Sequence, residues 1–252
     1  MIKIGIIGSG NVATHLANGL SKTANVIGIY SKTKANATTL AKKVKSKFVS
    51  LSELEANAEL IIIAVNDDQI EKVAKQLKSS KKLIVHTSGS VSSEVLKKAR
   101  ISNYGVFYPL QTFSKSKKVD FSNIPICVYS PNKKSLSILK KLASALSGNV
   151  TVIDDEQRKI IHLAAVFACN FSNHMYAIAD DILKENNLSL DLLKPLIAET
   201  ANKIQRITPK EAQTGPAKRK DNNTIKKQLK MLEDNADWQK IYKLVTQNIQ
   251  KQ

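Results

Sequence analysis

A glycine turn close to the start of the chain limits most strongly what it can fold into. Gly8-Ser9-Gly10-Asn11-Val12-Ala13 reads G-x-G-x-x-A; it follows the β-like run Ile2–Ile7 and opens a stretch with Val12, Leu16 and Leu20 at helical spacing. Gly8 permits a tight turn, Gly10 lets the backbone approach a pyrophosphate, and Ala13 lets the helix pack closely on the strand. The helix N-terminus adds N–H donors and the positive end of its dipole. A glycine pair alone is a weak signal, since an ordinary strand-to-helix turn also tolerates it. With strand, helix and position all in place, the segment predicts dinucleotide binding, with Gly8, Ser9, Gly10, Asn11 and Val12 at the phosphates.

The next strand bears on which dinucleotide. NAD-binding folds place Asp or Glu about 20 residues beyond the glycines, where it accepts from the ribose 2′-OH. Here the strand ends Gly28-Ile29-Tyr30-Ser31-Lys32-Thr33, without an acid. A cation between two hydroxyls suits a 2′-phosphate. Ser31 and Lys32 therefore point to NADP(H) rather than NAD(H), although Lys32 also fits as one more surface lysine. Ligands of such sheets sit outside the carboxyl ends of the strands. That adds Val65 and Asn66 after one strand, and Thr87, Ser88 and Gly89 after another. Asp67 or Asp68 serves more simply as a cap for the helix beginning near Gln69, and His86 more simply as a satisfied strand-end histidine.

Residues 1–153 alternate β-like and amphipathic stretches, the pattern of a parallel sheet covered by helices. The strand candidates are Ile2–Ile7, Val26–Tyr30, Lys47–Val49, Leu60–Val65, Leu83–His86, Tyr104–Phe107, Ile126–Tyr129 and Val150–Ile153. Helical patterns lie between them at Val12–Lys22, Lys34–Val44, Gln69–Leu77, Ser93–Ala99 and Lys133–Leu146. After Asp154 no β-like run occurs, and segments of helical period take over at about 156–186, 189–206, 222–233 and 237–250. The expectation is an α/β chain of two domains. A doubly wound, dinucleotide-binding sheet spans 1–153, and an all-α domain for substrate and dimerisation spans 154–252.

The chain carries 39 Lys and Arg against 21 Asp and Glu, a formal charge of +18. Nucleic acid and anionic lipid are the obvious partners for such a balance. The excess is concentrated in residues 1–153, with 23 basic and 8 acidic side chains, and only Arg100, Arg158, Arg206 and Arg219 are arginines. Base-edge readout and bidentate phosphate clamps lean on arginine, so a lysine excess is better read as solvated surface. The longest apolar runs, Leu60–Val65 and Leu163–Cys169, fall far short of the roughly 20 residues that cross a bilayer. Met1-Ile2-Lys3 leads into the first strand without a small-residue cleavage site, which argues against a signal peptide. Cys127 and Cys169 have no paired spacing, which argues against disulfides and a cysteine zinc site. The expected setting is cytoplasmic, with no nucleic acid, membrane or metal partner.

Four further segments carry a resemblance: His86-Thr87-Ser88-Gly89-Ser90, Gly105-Val106-Phe107-Tyr108-Pro109-Leu110-Gln111-Thr112-Phe113, Asn170-Phe171-Ser172-Asn173-His174 and Gln213-Thr214-Gly215-Pro216-Ala217-Lys218-Arg219-Lys220-Asp221. With the glycine turn they resemble a family of Rossmann-like NADP oxidoreductases whose C-terminal domain has no assigned function. The likeness spans nearly the whole chain. The architecture is similar to the superfamily of 6-phosphogluconate dehydrogenase, ketopantoate reductase and pyrroline-5-carboxylate reductase, with a C-terminal domain like that of 6-phosphogluconate dehydrogenase. The resemblance implies a Rossmann fold, NADP(H) as cofactor, a small-molecule substrate between the domains and a homodimer paired through the helical domain. It transfers fold and cofactor better than substrate. One departure matters. Relatives of known chemistry place a lysine and an asparagine four residues apart on the first long helix of the second domain. The corresponding register here offers Arg158, His162, Val166, Asn170 and His174, so the superfamily's acid–base lysine has no counterpart.

Taking Asp155–Glu185 as one helix at about 100° and 1.5 Å per residue, Asn173 lies roughly 20° from His162 but about 16 Å along the axis. Asn170 and His174 form an i, i+4 pair with Asn173 close by. The apolar run Leu163–Cys169 predicts a buried helix carrying this polar cluster. In the functional reading Asn170 and Asn173 hold a polar substrate while His174 or His162 handles a proton; helix–helix hydrogen bonding explains the cluster equally well. Gln213, Thr214 and Arg219 lie on an irregular segment suited to closing over substrate; the plainer alternative makes Asp221 a helix cap with Arg219 paired to it at the surface. Tyr108 sits in a stretch read as non-strand, as a candidate proton donor or a packing residue. The reading is an NADP-dependent oxidoreductase for a small polar substrate. Its rival is a non-catalytic NADP(H)-binding sensor or assembly protein, favoured by the missing lysine.

Overall fold

In the computed structural model of the chain, residues 1–77 and 82–251 are described. Gln252, the end of the expected helical domain, lies outside them. The strands are β1 (Lys3–Ile7), β2 (Asn25–Tyr30), β3 (Leu60–Ile63), β4 (Leu83–His86), β5 (Asn103–Pro109), β6 (Ile126–Tyr129) and β7 (Val150–Val152). They form one sheet in the order β2-β1-β3-β4-β5-β6-β7. All pairs are parallel except β5 with β6. Strand order reverses between β1 and β3, the switch point at which doubly wound sheets open a crevice.

Helices α1 (Asn11–Leu20), α2 (Lys34–Lys43), α3 (Leu51–Asn57), α4 (Asp67–Gln76), α5 (Glu94–Lys98) and α6 (Lys133–Ser144) cover the sheet. Side chains alternate across a strand, so β3, apolar at every position, feeds two cores. Leu60 and Ile62 pack with Ile4, Leu16, Leu40 and Leu139, under α1, α2 and α6. Ile61 and Ile63 pack on the opposite face with Leu54, Ile70, Val73 and Leu96, under α3, α4 and α5.

Three local features differ from expectation. Helix α3 was not anticipated, yet its start carries a capping box: Ser50 Oγ accepts from Glu53 N at 3.2 Å, and the Glu53 carboxylate accepts from Ser50 N at 2.7 Å. Lys47–Val49 is not a strand; Phe48 makes a single bridge to Ile29. Tyr108 and Pro109 belong to β5, because the antiparallel β6 continues the ladder and sets them opposite Cys127 and Ile126.

Beyond β7, helix α7 (Asp155–Ala165) opens with Asp154 and Gln157 capping each other. A wide π turn, Val166–Phe171, then leads into α8 (Ser172–Glu185). The single regular helix expected over 155–185 is thereby corrected: the π turn resets the register, and the angle reckoned between His162 and Asn173 does not hold. The expected burial is corrected as well. Leu163 is 60% exposed and Phe167 63%, so the apolar run faces outward in the isolated chain.

The chain forms two compact units, Met1–Cys169 and Asn170–Gln252. The second contains α8, a 3-10 turn (Leu190–Leu192), α9 (Lys194–Lys203), α10 (Pro209–Ala212), α11 (Asn222–Met231) and α12 (Ala236–Gln250). Side-chain caps at Thr208, Asp221 and Asn235 start its last three helices. Among the described residues, no helix is long and apolar enough to cross a membrane.

Candidate active site

The glycine turn sits at the switch point. Gly8 has φ +126°, a conformation that favours glycine, and a Cβ there would stand 2.0 Å from the Ala64 carbonyl oxygen. Its N–H donates to the Tyr30 carbonyl at 2.7 Å, which ties the turn to the end of β2. Gly10 differs in kind. A Cβ there would meet nothing within 4 Å. Packing therefore does not demand a glycine at this position, whereas a ligand pressed against the backbone would. Gly10 also caps α1 without any side-chain hydrogen bond, leaving the first-turn amides, including those of Asn11 and Val12, to an external acceptor. Turn and helix end together fit a pyrophosphate.

Beside the turn, Ser9 Oγ donates to Ser31 Oγ at 2.9 Å. Lys32 is exposed, and its Nζ donates to Gln69 Oε1 on α4 at 3.1 Å. No acid occupies the end of β2. The Asn11 side chain is engaged elsewhere: its Nδ2 donates to the Phe113 carbonyl at 2.9 Å, and His15 stacks on the Phe113 ring at 5.1 Å. Asn11 thus offers a ligand its backbone, while its amide holds the segment after β5 in place.

Val65 and Asn66 follow β3, and Asn66 begins α4 with Asp67 and Asp68 in its first turn. Thr87 and Ser88 follow β4 and are buried; Thr87 N donates to the Ile63 carbonyl at 3.1 Å. Ser88 Oγ accepts from the amides of Ser90 and Val91 at 3.1 and 3.0 Å. The Ser90 hydroxyl donates to the Asp67 carboxylate, joining the segments after β3 and β4. His86 is fully buried, and its Nδ1 accepts from Ser88 N at 3.2 Å. Burial first, and the neighbouring Arg158 charge second, hold the imidazole neutral by lowering its pKa to about 4.

The first unit also brings together three residues proposed for cofactor, substrate and catalysis. Tyr108 Oη lies 3.1 Å from His162 Nδ1, with the rings edge-on at 6.1 Å between centroids. Gly89 fills the gap beside them, since a Cβ there would stand 2.7 Å from His162 Nδ1 and 2.9 Å from Tyr108 Cζ. Burial pushes the Tyr108 phenol up to about 12, with Cys127 and Asp67 adding to it against the opposing Arg158 charge. The phenol keeps its proton through the neutral range. Asn170, Asn173 and His174 belong to the second unit and are exposed. There too, Gln213 Nε2 donates to the Thr214 carbonyl at 2.9 Å, and Thr214 lines an apolar groove of about 310 Å³ with Met175, Ile178, Trp238 and Ile241. Arg219 is exposed, and Asp221 caps α11, accepting from Thr224 N at 3.0 Å. Among the described residues, no group of three His, Cys, Asp or Glu is placed to hold a metal.

Sequence reasoning passed over a buried knot at the start of α7. Arg158 is fully buried; its guanidinium reaches Asp155 Oδ1 at 2.7 Å and the Val91 carbonyl. Asp155 Oδ2 accepts from Ser92 Oγ at 2.5 Å, Ser93 N at 2.7 Å and Ser93 Oγ at 3.0 Å. Burial raises the Asp155 pKa, but the Ser92 hydroxyl and Arg158 outweigh it and hold the carboxyl below its usual range. The available signal was the residue type itself, one of four planar forks in a chain that mostly uses lysine.

Two family signatures cover most of the chain. Residues 3–89 match NADP oxidoreductase coenzyme F420-dependent, and residues 124–249 match the domain of unknown function DUF2520. A candidate NADP oxidoreductase from Bacteroides fragilis is 42% identical over 100% of this chain and 98% of its own, with a TM-score of 0.93. The chain belongs to the DUF2520 family of Rossmann-like NADP oxidoreductases. A protein from Thermotoga maritima is 26% identical over 98% of this chain and 97% of its own, with a TM-score of 0.74. An imine reductase from Myxococcus stipitatus, solved in complex with NADP+, shares the fold alone: 16% identity over 99% of this chain and 92% of its own, TM-score 0.66. No curated protein sequence matches the chain. The signature over residues 3–89 names NADP, and the glycine turn with the acid-free end of β2 fits that cofactor.

Proposed function

We propose that the chain reduces a small polar compound with a C=N or C=O bond at the expense of NADPH, and that Tyr108 and His162 deliver the proton. The observation that carries this reading is their 3.1 Å contact against Gly89, on the segment that follows β4. Gly8, Gly10 and the first amides of α1 hold the pyrophosphate; Ser9, Ser31 and Lys32 hold the 2′-phosphate; Val65, Asn66, Thr87, Ser88 and Gly89 border the nicotinamide half. NADPH, when bound, supplies the hydride.

The chain's own part is orientation and a proton. With His162 protonated, its Nδ1–H donates to the phenol oxygen, and the phenol proton is free to go to the substrate's developing anion. One proton leaves Tyr108 as another arrives from His162, so no tyrosinate accumulates. The phenol, pushed up to about 12, holds its proton until charge develops on the substrate. The pair takes the role that the superfamily lysine fills elsewhere. Asn170, Asn173, His174, Gln213, Thr214 and Arg219 are proposed to contact substrate or a partner subunit. Exposure of Leu163, Phe167, Phe171, Met175 and Tyr176 supports the proposal of a homodimer through this helical region.

Imine reductases and reductive aminases share the fold, which makes cyclic imines and small ketones with and without amines the first compounds to try. The test follows NADPH absorbance with each compound, for the wild type and for Tyr108→Phe. Turnover that Tyr108→Phe abolishes supports the proposal. Binding of NADPH with no turnover on any compound favours the rival reading, a nucleotide-binding sensor.

A further inference from the structure

We propose that Asp155 and Arg158 are positioning residues: by gripping residues 91–93 from α7, they hold Gly89 and His162 in the register that lets His162 meet Tyr108. The inference rests on the proton-delivery reading above and extends it to residues that touch neither substrate nor cofactor.

Asp155, Arg158 and His162 stand at i, i+3 and i+7. At about 100° and 1.5 Å per residue, Asp155 and His162 differ by roughly 20° around the helix and about 10.5 Å along it. One face of α7 therefore carries the grip at its start and the histidine two turns on. The segment is held from its other side as well. Ser88 Oγ folds it by accepting from Ser90 N and Val91 N at 3.1 and 3.0 Å, and the Ser90 hydroxyl ties it to Asp67. Gly89 lies inside this short loop, where a Cβ would already come within 2.7 Å of His162 Nδ1. A slide of α7 by a fraction of an ångström would close or open that contact.

The chemistry of the grip supports a directional role. Asp155 spends one oxygen on Arg158 and the other on Ser92 and Ser93, so both ends of the carboxylate are committed. Arg158 spends one nitrogen on Asp155 and another on the Val91 carbonyl. The planar fork fixes angle as well as distance, which a lysine ammonium does not. The chain has 39 basic residues and keeps an arginine at this buried position.

The test uses the full chain, labelled with 15N and saturated with NADPH, with every variant read at one and the same pH. Two signals are read: the His162 ring nitrogens and the Gly89 amide. Tyr108→Phe gives the reference for a lost Tyr108–His162 bond. Asp155→Asn and Arg158→Met are expected to move His162 towards that reference and to shift Gly89 with it. The glycine turn and the end of β2 are untouched in these variants, so they are expected still to bind NADPH, which serves as the control for folding. Arg158→Lys is expected to fall between Arg158→Met and the wild type. His162 and Gly89 signals that coincide with the wild type in these variants would overturn the inference. Should the buried-charge variants fail to fold, Ser92→Ala with Ser93→Ala keeps the Asp155–Arg158 pair and releases the loop, and the same two signals decide. If Tyr108→Phe leaves His162 unmoved while the grip variants shift both signals, positioning stands and the proton-delivery reading falls.

Discussion

Tyr108 Oη and His162 Nδ1 lie 3.1 Å apart, one at the carboxyl end of β5 and the other two turns into α7. The residues are 54 apart in sequence, and β5 pairs antiparallel with β6, which extends the strand far enough to carry Tyr108 to the histidine. Removing either member is expected to lower reductive turnover by about 100- to 10,000-fold, the usual range for a lost general acid. Tyr108→Phe and His162→Ala should lose similar amounts, and the double variant little more than either alone, because the two act as one unit. Steady-state rates on any compound that the wild type reduces will check this, with NADPH affinity as the control for folding.

Gly89 admits no side chain. Adding one methyl group drives a Cβ to 2.7 Å from His162 Nδ1 and 2.9 Å from Tyr108 Cζ. Gly89→Ala is expected to cost about 1–3 kcal/mol of stability by overpacking and to separate the pair. Urea unfolding reads the first effect, and the His162 ring signals read the second.

His86 gives the fold a pH dependence of known sign. Its pKa drops from 6.5 to about 4 because burial disfavours the imidazolium, Arg158 adds to that, and Asp155 and Asp67 oppose it. The unfolded chain takes up this proton first. Stability from this site is therefore complete above pH 6.5 and is lost as pH falls towards 4, by about 3 kcal/mol at the lower end. His86→Gln should flatten that part of the profile in urea unfolding measured at a series of pH values.

Much of this was legible in the chain before folding. The glycine turn announced itself because Gly8 and Gly10 have strand, helix and spacing in place, and β3 because four consecutive apolar residues can serve two cores. The absence of an acid at the end of β2 was equally plain from the letters, and Ser31 stands beside the turn, accepting from Ser9 Oγ. The π turn at Val166–Phe171 was not, since a wide turn has no residue signature and an apolar stretch of helix looks regular from its letters. The same stretch misled on burial: Leu163 and Phe167 read alike whether they fill a core or wait for a partner. The Asp155–Arg158 grip depends on a loop that meets α7 only in three dimensions, and His162 stands with Tyr108 because of it. Helical spacing had set the histidine on one face with Asn173, but about 16 Å from it along the axis.

Binding of NADP(H) by this DUF2520-family chain through the glycine turn and the end of β2 is the proposal on which the others depend. Its most direct test is a titration with NADPH and with NADH, followed by nicotinamide fluorescence, on the wild type and on Ser31→Ala with Lys32→Ala. The prediction is a preference for NADPH that shrinks by about 10- to 100-fold in the double variant, as expected for losing charge-assisted bonds to a phosphate; NADH affinity should stay level. Binding of neither nucleotide, or equal binding of both with no response to the double variant, would contradict it.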